Sequence, residues 1–162
     1  MLHILWGEDY FSIEEALQKI KNGLGDLSML SSNTSVLEGA KLTVNELKVV
    51  GEAMPFLSLK RLVVINGLLT RFEPKEKSSR PKKTESANKK PDESAAFGAC
   101  LKGLPDSTVA VLVDHIEMGK KALQNNPLYL AISAGSDVRP FPMLKGSSRF
   151  SPLNTPIPSN GA

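Results

Sequence analysis

The sequence contains a single cysteine, Cys100, among its 162 residues. One thiol cannot form an internal disulfide, which excludes the disulfide-stabilised secreted domains and fits a reducing cytoplasm. No apolar run approaches the roughly 18 residues that a membrane-spanning helix needs. The first residues have neither the basic leader nor the small-residue cleavage site of a secretory signal peptide. We therefore expect a soluble cytoplasmic protein with no membrane partner.

A concentrated basic face is also missing, although the formal net charge is +3. Residues 71–94 hold eight Lys or Arg and five Asp or Glu, so they account for the whole excess, and the rest of the chain is neutral. The same residues have almost no apolar side chains to bury. Their composition predicts a disordered insertion within one globular domain, and it does not favour a nucleic-acid-binding surface on the folded part.

Short apolar runs rich in β-branched residues alternate along the chain with segments of helical periodicity. Capping boxes at Ser12–Glu15 and Thr43–Glu46 mark two helix starts, and Asn126-Pro127 marks another. Runs that are apolar without alternation are typical of parallel strands covered on both faces. The expected fold is therefore an α/β, doubly wound, mostly parallel five-stranded sheet. Its strands are predicted at Leu2–Trp6, Thr34–Leu37, Leu62–Ile65, Thr108–Val113 and Val138–Phe141.

A phosphate-binding loop is absent from the place where such a fold would carry one. Ligands of doubly wound sheets bind beyond the carboxyl ends of the strands, which here are followed by Gly7–Ser12, Asn66–Gly67 and Asp114–His115. Counted from Gly7, the second Gly, the Lys and the Ser/Thr of the motif are replaced by Ser12, Ile13 and Glu14. Acidic side chains around the first helical turn would also repel a phosphate: Glu8, Asp9, Glu14 and Glu15.

Other catalytic interpretations of these strand ends are disfavoured. Asp114 resembles a magnesium-holding acid, but His115 follows it where a water-activating Glu is common, so a turn or capping role is favoured. A phosphoryl-accepting receiver, with Glu8 and Asp9 as its acidic pair, would need an aspartate where Asn66 ends the third strand. We predict no catalytic residue, no metal site and no cofactor. Three further residues are interpreted as core or sheet-face positions: His3, Trp6 and Cys100.

Residues 53–58 place two large apolar side chains directly after a helix-breaking proline. One interpretation is that Phe56 and Leu57 seal the end of the sheet and are buried. The other is that they form an exposed plug that enters a pocket of a partner protein. The sequence leaves both interpretations open.

The chain resembles the delta subunit of bacterial DNA polymerase III, the clamp-loader component that opens the sliding clamp. The resemblance runs from about Leu2 to Gly146 and rests on the order and spacing of short segments: Leu5–Phe11, Ala53–Leu57, Lys60–Val63, Thr108–Asp114, Asn126–Leu128 and Phe141–Gly146. It implies an AAA+-type N-terminal domain over residues 1–146 that has lost its nucleotide site. The implied role is that of a non-catalytic accessory subunit in DNA replication. The alternative is an AAA+-like or P-loop-like NTPase with a degenerate site.

The resemblance also implies partners and a binding element. It assigns the clamp-binding element to four residues: Met54, Pro55, Phe56 and Leu57. It implies a sliding clamp (the beta subunit) as the direct partner and DNA as an indirect one. Contacts with the gamma/tau and delta-prime subunits would be made through a helical lid and a collar that lie outside this sequence.

The resemblance ends at Gly146. The family continues there into a helix, whereas residues 147–162 include three prolines and a glycine and cannot form one. We expect these residues to be a disordered tail unrelated to the family, as a truncated or frame-shifted product would carry.

Overall fold

A computed structural model describes residues 1–74, 90–115 and 123–143. Its strands are β1 (Leu2–Gly7), β2 (Thr34–Glu38), β3 (Arg61–Asn66), β4 (Thr108–Asp114) and β5 (Asp137–Phe141). They form one five-stranded sheet in the order β2-β3-β4-β1-β5, and every neighbouring pair is parallel. The five predicted strands are therefore confirmed, each within one residue of its predicted ends.

The helices are α1 (Tyr10–Asn22), α2 (Leu27–Ser32), α3 (Val44–Glu52), α4 (Leu68–Arg71), α5 (Lys90–Lys102) and α6 (Pro127–Ile132). The predicted capping box of α3 is confirmed, since Thr43 and Glu46 each bond the other's backbone amide. Asn126 caps α6 and Pro127 opens it, also as predicted. The capping box predicted at Ser12–Glu15 is wrong, because α1 begins earlier, at Tyr10. Its cap is Asp9, whose carboxylate accepts a hydrogen bond from the Ser12 amide.

Helices cover both faces of the sheet, and each face has its own hydrophobic core. On one face α3, α4, α5 and α6 pack over strand residues such as Ile4, Ile65 and Leu112. On the other face α1 and α2 pack over Leu5, Val64 and the remaining alternate strand residues. Burial on both faces explains why the central strands β3 and β4 carry apolar runs that do not alternate with polar residues. The doubly wound arrangement is confirmed.

The predicted limits of the insertion, residues 71–94, are too wide at both ends. Arg71 ends α4 and donates hydrogen bonds to the carbonyls of Gly39 and Leu42. Its guanidinium also pairs with Glu93, which lies in α5 together with the buried Ser94. This ion pair ties residues on both sides of the insertion into the fold. Residues 75–89 and the predicted tail, 147–162, lie outside the described residues.

Candidate functional site

The connection between β1 and α1 lies at the carboxyl edge of the sheet, where the strands end and a ligand site is expected for this fold. It consists of Glu8 and Asp9 alone, which is too short to wrap around a phosphate as a phosphate-binding loop does. The Asp9 carboxylate accepts hydrogen bonds from Ser12 N at 3.1 Å and from Ser12 Oγ at 2.7 Å. The Asp9 amide donates to Phe141 O at 3.1 Å. These amides are therefore already bonded within the protein.

Asp114, at the end of β4, is fully buried and serves as the cap of α4. Its carboxylate accepts hydrogen bonds from Leu69 N at 3.2 Å, Thr70 N at 3.0 Å and Thr70 Oγ1 at 2.8 Å. It takes this role because the residue that precedes α4, Gly67, has no side chain with which to cap it. Burial raises the pKa of Asp114, while the hydrogen bonds from Thr70 and Leu69 and the charge of His115 oppose the rise. The predicted turn or capping role is confirmed.

The other polar and aromatic residues named in the sequence analysis contact neighbouring residues of the fold. His3 is buried, and its Nδ1 lies 3.0 Å from Asp137 Oδ2. Trp6 and Cys100 pack against the core, as predicted. The ring of His115 stacks on Tyr10 with 4.6 Å between centroids. Within the described part of the chain, no group of three or more His, Cys, Asp or Glu side chains could hold a metal ion.

The apolar loop, defined here as residues 53–60, lies at the opposite, amino edge of the sheet between α3 and β3. Four of its side chains are mostly exposed: Met54 at 87%, Phe56 at 66%, Leu57 at 73% and Leu59 at 88%. None of the four belongs to either hydrophobic core. Phe56 and Leu57 therefore do not seal the sheet, and the exposure expected of a plug is confirmed.

The backbone of the apolar loop is held in place although its side chains are exposed. The side chain of Asn33 accepts a hydrogen bond from Phe56 N at 2.6 Å and donates one to Phe56 O at 2.7 Å. Ser58 Oγ donates to Lys60 O at 3.1 Å, and Lys60 Nζ donates to Asp106 O at 2.6 Å. Leu57 adopts a left-handed backbone conformation with φ of 49°, which an L-residue occupies only when its surroundings impose it.

The structure brings together the four residues that the resemblance assigned to the clamp-binding element, and it places them away from the carboxyl edge. Pro55 is the partly buried member of the group. Two residues of this site escaped the sequence analysis. Leu59 belongs to the same apolar run and could have been found by extending it. Asn33 is 23 residues away from its partner Phe56, so no local pattern indicates it.

None of the helices within residues 1–74, 90–115 and 123–143 is both long and apolar enough to cross a membrane. The family model described as DNA polymerase III, delta subunit, matches residues 3–117. No curated protein sequence matches the chain.

The solved structures that are similar to this chain include two clamp-loader-related proteins. The Bacillus subtilis DNA clamp loader delta protein (YqeN) aligns with a TM-score of 0.69 at 16% identity, over 94% of this chain and 41% of that protein. A DNA polymerase III gamma subunit-related protein from Thermotoga maritima aligns with a TM-score of 0.48 at 16% identity, over 93% of this chain and 43% of that protein. The first likeness shows the fold, which is the doubly wound, parallel five-stranded α/β arrangement expected from the sequence. The chain spans less than half the length of either protein.

Proposed function

The chain belongs to the DNA polymerase III delta subunit family, and on that premise we propose that it serves as the clamp-binding part of a clamp loader. In this proposal the protein binds the sliding clamp and favours its open form during DNA replication. It hydrolyses no ATP of its own and acts as an accessory subunit. The gamma/tau and delta-prime subunits would be its partners in the loader, and DNA an indirect one.

The observation that carries the proposal is the exposure of the apolar loop. Between Met54 and Leu59 four large apolar side chains are at least 66% exposed, although the loop backbone is fixed by hydrogen bonds. When a partner covers apolar side chains that lie in water on an ordered backbone, their removal from water lowers the free energy of the complex. Binding hot spots are typically a few side chains of this kind that enter a pocket. Phe56 and Leu57 are the pair that we expect to enter the clamp.

Clamp opening follows from binding if the loop contacts the open ring better than the closed one. A ligand shifts a conformational equilibrium only through the difference between its affinities for the two states. The protein would therefore need no bond-making chemistry and no nucleotide to favour the open clamp. At the carboxyl edge, the amides of Asp9 and Ser12 are already hydrogen-bonded within the protein, which is consistent with a role that uses no nucleotide. The alternative of a degenerate NTPase has no comparable observation in its favour.

The test is the affinity of the full chain for the organism's own sliding clamp, measured by surface plasmon resonance. The double variant Phe56→Ala/Leu57→Ala should weaken binding by roughly thirtyfold or more, since hot-spot residues typically contribute about 2 kcal/mol or more. Its melting temperature should stay near that of the wild type, because neither side chain is in a core.

The matched control is Phe11→Ala/Leu130→Ala. It removes the same two kinds of side chain from exposed positions, 77% and 60%, on α1 and α6. This control should bind the clamp like the wild type. If the loop variant binds normally, or if both double variants lose affinity equally, the proposed binding element is wrong.

A further inference from the structure

The side chain of Asn33 lies between α2 and the apolar loop and is completely buried. Its Oδ1 accepts a hydrogen bond from Phe56 N at 2.6 Å, and its Nδ2 donates to Phe56 O at 2.7 Å and to Met29 O at 2.9 Å. Both amide hydrogens and one lone pair are thus used on main-chain groups. One side chain therefore binds both the N–H and the C=O of Phe56.

This double contact holds the backbone of Phe56 and therefore the direction in which its Cα–Cβ bond leaves the loop. Because the N–H and C=O of Phe56 both face the buried amide, its backbone cannot turn without breaking one of the two bonds. Phe56 is 66% exposed in this arrangement. The next residue, Leu57, has its left-handed backbone, and its side chain is 73% exposed. The two exposed apolar side chains therefore start from a backbone that Asn33 holds.

Asn33 is itself attached to the sheet, which makes it a rigid support. Its carbonyl accepts a hydrogen bond from Leu62 N at 2.9 Å, and Leu62 is a buried residue of β3. The next residue, Thr34, begins β2 opposite Leu62. The loop and the end of α2 are bonded to the side chain of Asn33, and β3 is bonded to its main-chain carbonyl.

We propose that Asn33 is a positioning residue that holds Phe56 and Leu57 in the conformation in which they bind the clamp, an inference that rests on the proposed function. A loop that is already ordered loses less conformational entropy on binding than a loose one. Asn33 makes no contact with the partner in this role. Its effect on affinity is exerted through the Phe56 backbone.

This role requires an amide side chain, because an amide both accepts and donates hydrogen bonds. Asn33→Asp keeps an acceptor for Phe56 N but places a second acceptor against the carbonyls of Phe56 and Met29, so it should release the loop. Asn33→Ala removes all three hydrogen bonds. Asn33→Ser is a milder variant that keeps a polar group beside Phe56, and it serves if the other two fail to fold.

Asn126 offers a matched control within the same chain. It is also completely buried, and its side chain also makes three hydrogen bonds to main-chain groups, to Leu69 O, Leu128 N and Tyr129 N. It caps α6, outside the apolar loop. Asn126→Ala should therefore lower the stability of the domain to a similar degree without releasing the loop.

The experiment measures three quantities on the full-length variants, at a temperature where circular dichroism shows all of them folded. They are the melting temperature, the dissociation constant for the sliding clamp, and the rate at which chymotrypsin cuts after Phe56 and Leu57, followed by mass spectrometry. We expect Asn33→Ala and Asn33→Asp to weaken clamp binding by about tenfold, which corresponds to about 1.4 kcal/mol. The same variants should be cut several times faster in the loop. Asn126→Ala should show neither effect.

The outcomes separate this inference from the proposed function. If wild-type protein binds the clamp and the Asn33 variants bind equally well, the positioning role is wrong and the proposed function stands. Equal losses of affinity in Asn33→Ala and Asn126→Ala would also overturn the role, because they would reflect general destabilisation. If wild-type protein does not bind the clamp, the proposed function fails and the role in clamp binding fails with it. Chymotrypsin would still report whether Asn33 holds the loop.

Discussion

Side chains at the two edges of the sheet differ in what they contact. At the carboxyl edge, the carboxylates of Asp9 and Asp114 accept hydrogen bonds from backbone amides of α1 and α4, so these amides are not available to a phosphate. At the amino edge, a buried side chain holds the backbone of the apolar loop, and Phe56 and Leu57 face solvent. Polar groups are thus used within the protein at one edge, and apolar groups are presented to the outside at the other.

Under the proposed function, the two edges of the sheet have separate tasks, one in stability and the other in binding. A short β1–α1 connection and a capping aspartate make the carboxyl edge part of the stabilising framework. The proposed binding element is the apolar loop at the amino edge, whose exposed side chains lie outside both hydrophobic cores. If this division is correct, substitutions at one edge change stability and substitutions at the other change affinity.

The largest effect on stability is expected from Asp114→Ala. This change leaves the amides of Leu69 and Thr70 and the Thr70 hydroxyl without their acceptor. Unsatisfied buried donors typically cost about 1–3 kcal/mol each, so we expect a loss of about 3 kcal/mol and a melting temperature lower by about 10 °C. Differential scanning calorimetry measures the change. Clamp affinity, measured well below the transition, should stay at the wild-type value, and a parallel loss of affinity would break the separation of the two edges.

A smaller effect concerns pH and the same residue. Burial raises the pKa of Asp114 above its ordinary value of 3.8, so the folded protein holds this proton more tightly than the unfolded chain. The contribution of Asp114 to stability is therefore largest at low pH and falls as pH rises through the raised folded-state pKa. The variant Asp114→Asn cannot titrate. Urea unfolding of both proteins from roughly pH 7 down to pH 4.5 should show the wild type gaining stability relative to the variant, and a constant difference would contradict the assignment.

Shortening the insertion should have a still smaller effect. Arg71 and Glu93 form an ion pair, so described residues on the two sides of 75–89 lie close together. Replacing residues 75–89 by about six Gly and Ser residues should change the free energy of unfolding by less than about 1 kcal/mol, since loop-closure entropy varies slowly with length. Urea titration and the clamp assay test this. Arg71→Ala is the matched control and should be more destabilising, because Arg71 also bonds Gly39 and Leu42 and lies over the Phe97 ring.

The sheet could be predicted because each strand carries its own local signal. Runs such as Leu62–Ile65 are apolar on both faces, and the parallel arrangement requires that. The capping box of α3 was equally local. By contrast, α2 and α4 are six and four residues long, too short for a helical period to stand out. The start of α1 was misplaced because Asp9 and Ser12 both have the side chain of a helix cap.

The candidate site was predictable in composition but not in geometry. The sequence places Met54, Phe56 and Leu57 together, yet exposure and burial both agree with such a run. Only the fold decides between them, and it includes these side chains in neither hydrophobic core. The contact between Asn33 and Phe56 depends on the pairing of β2 with β3, which brings the two residues together across 23 positions of sequence.

Mg²⁺-ATP should give no heat of binding to the wild-type protein in isothermal titration calorimetry. A nucleotide at the carboxyl edge would need free amides and room for its phosphates. The amides of Asp9 and Ser12 are bonded to Phe141 O and to the Asp9 carboxylate. Room is also lacking, because Gly7 has φ of +143° and a Cβ at that position would lie 2.1 Å from Phe141 O. Strand β5 is therefore packed against the point where a phosphate loop would begin.

The variant Asp9→Ala sharpens this test, since it removes the acidic cap and frees the Ser12 amide. If charge repulsion alone excluded nucleotides, this variant would gain affinity for ATP, because a helix N-terminus attracts anions. We expect Asp9→Ala to give no heat of ATP binding, because a connection of two residues is too short to surround a phosphate, whatever the charge of those residues. Binding of ATP by Asp9→Ala but not by the wild type would show that charge, and not loop length, closes the carboxyl edge. Micromolar binding by the wild type would remove the contrast between the two edges altogether.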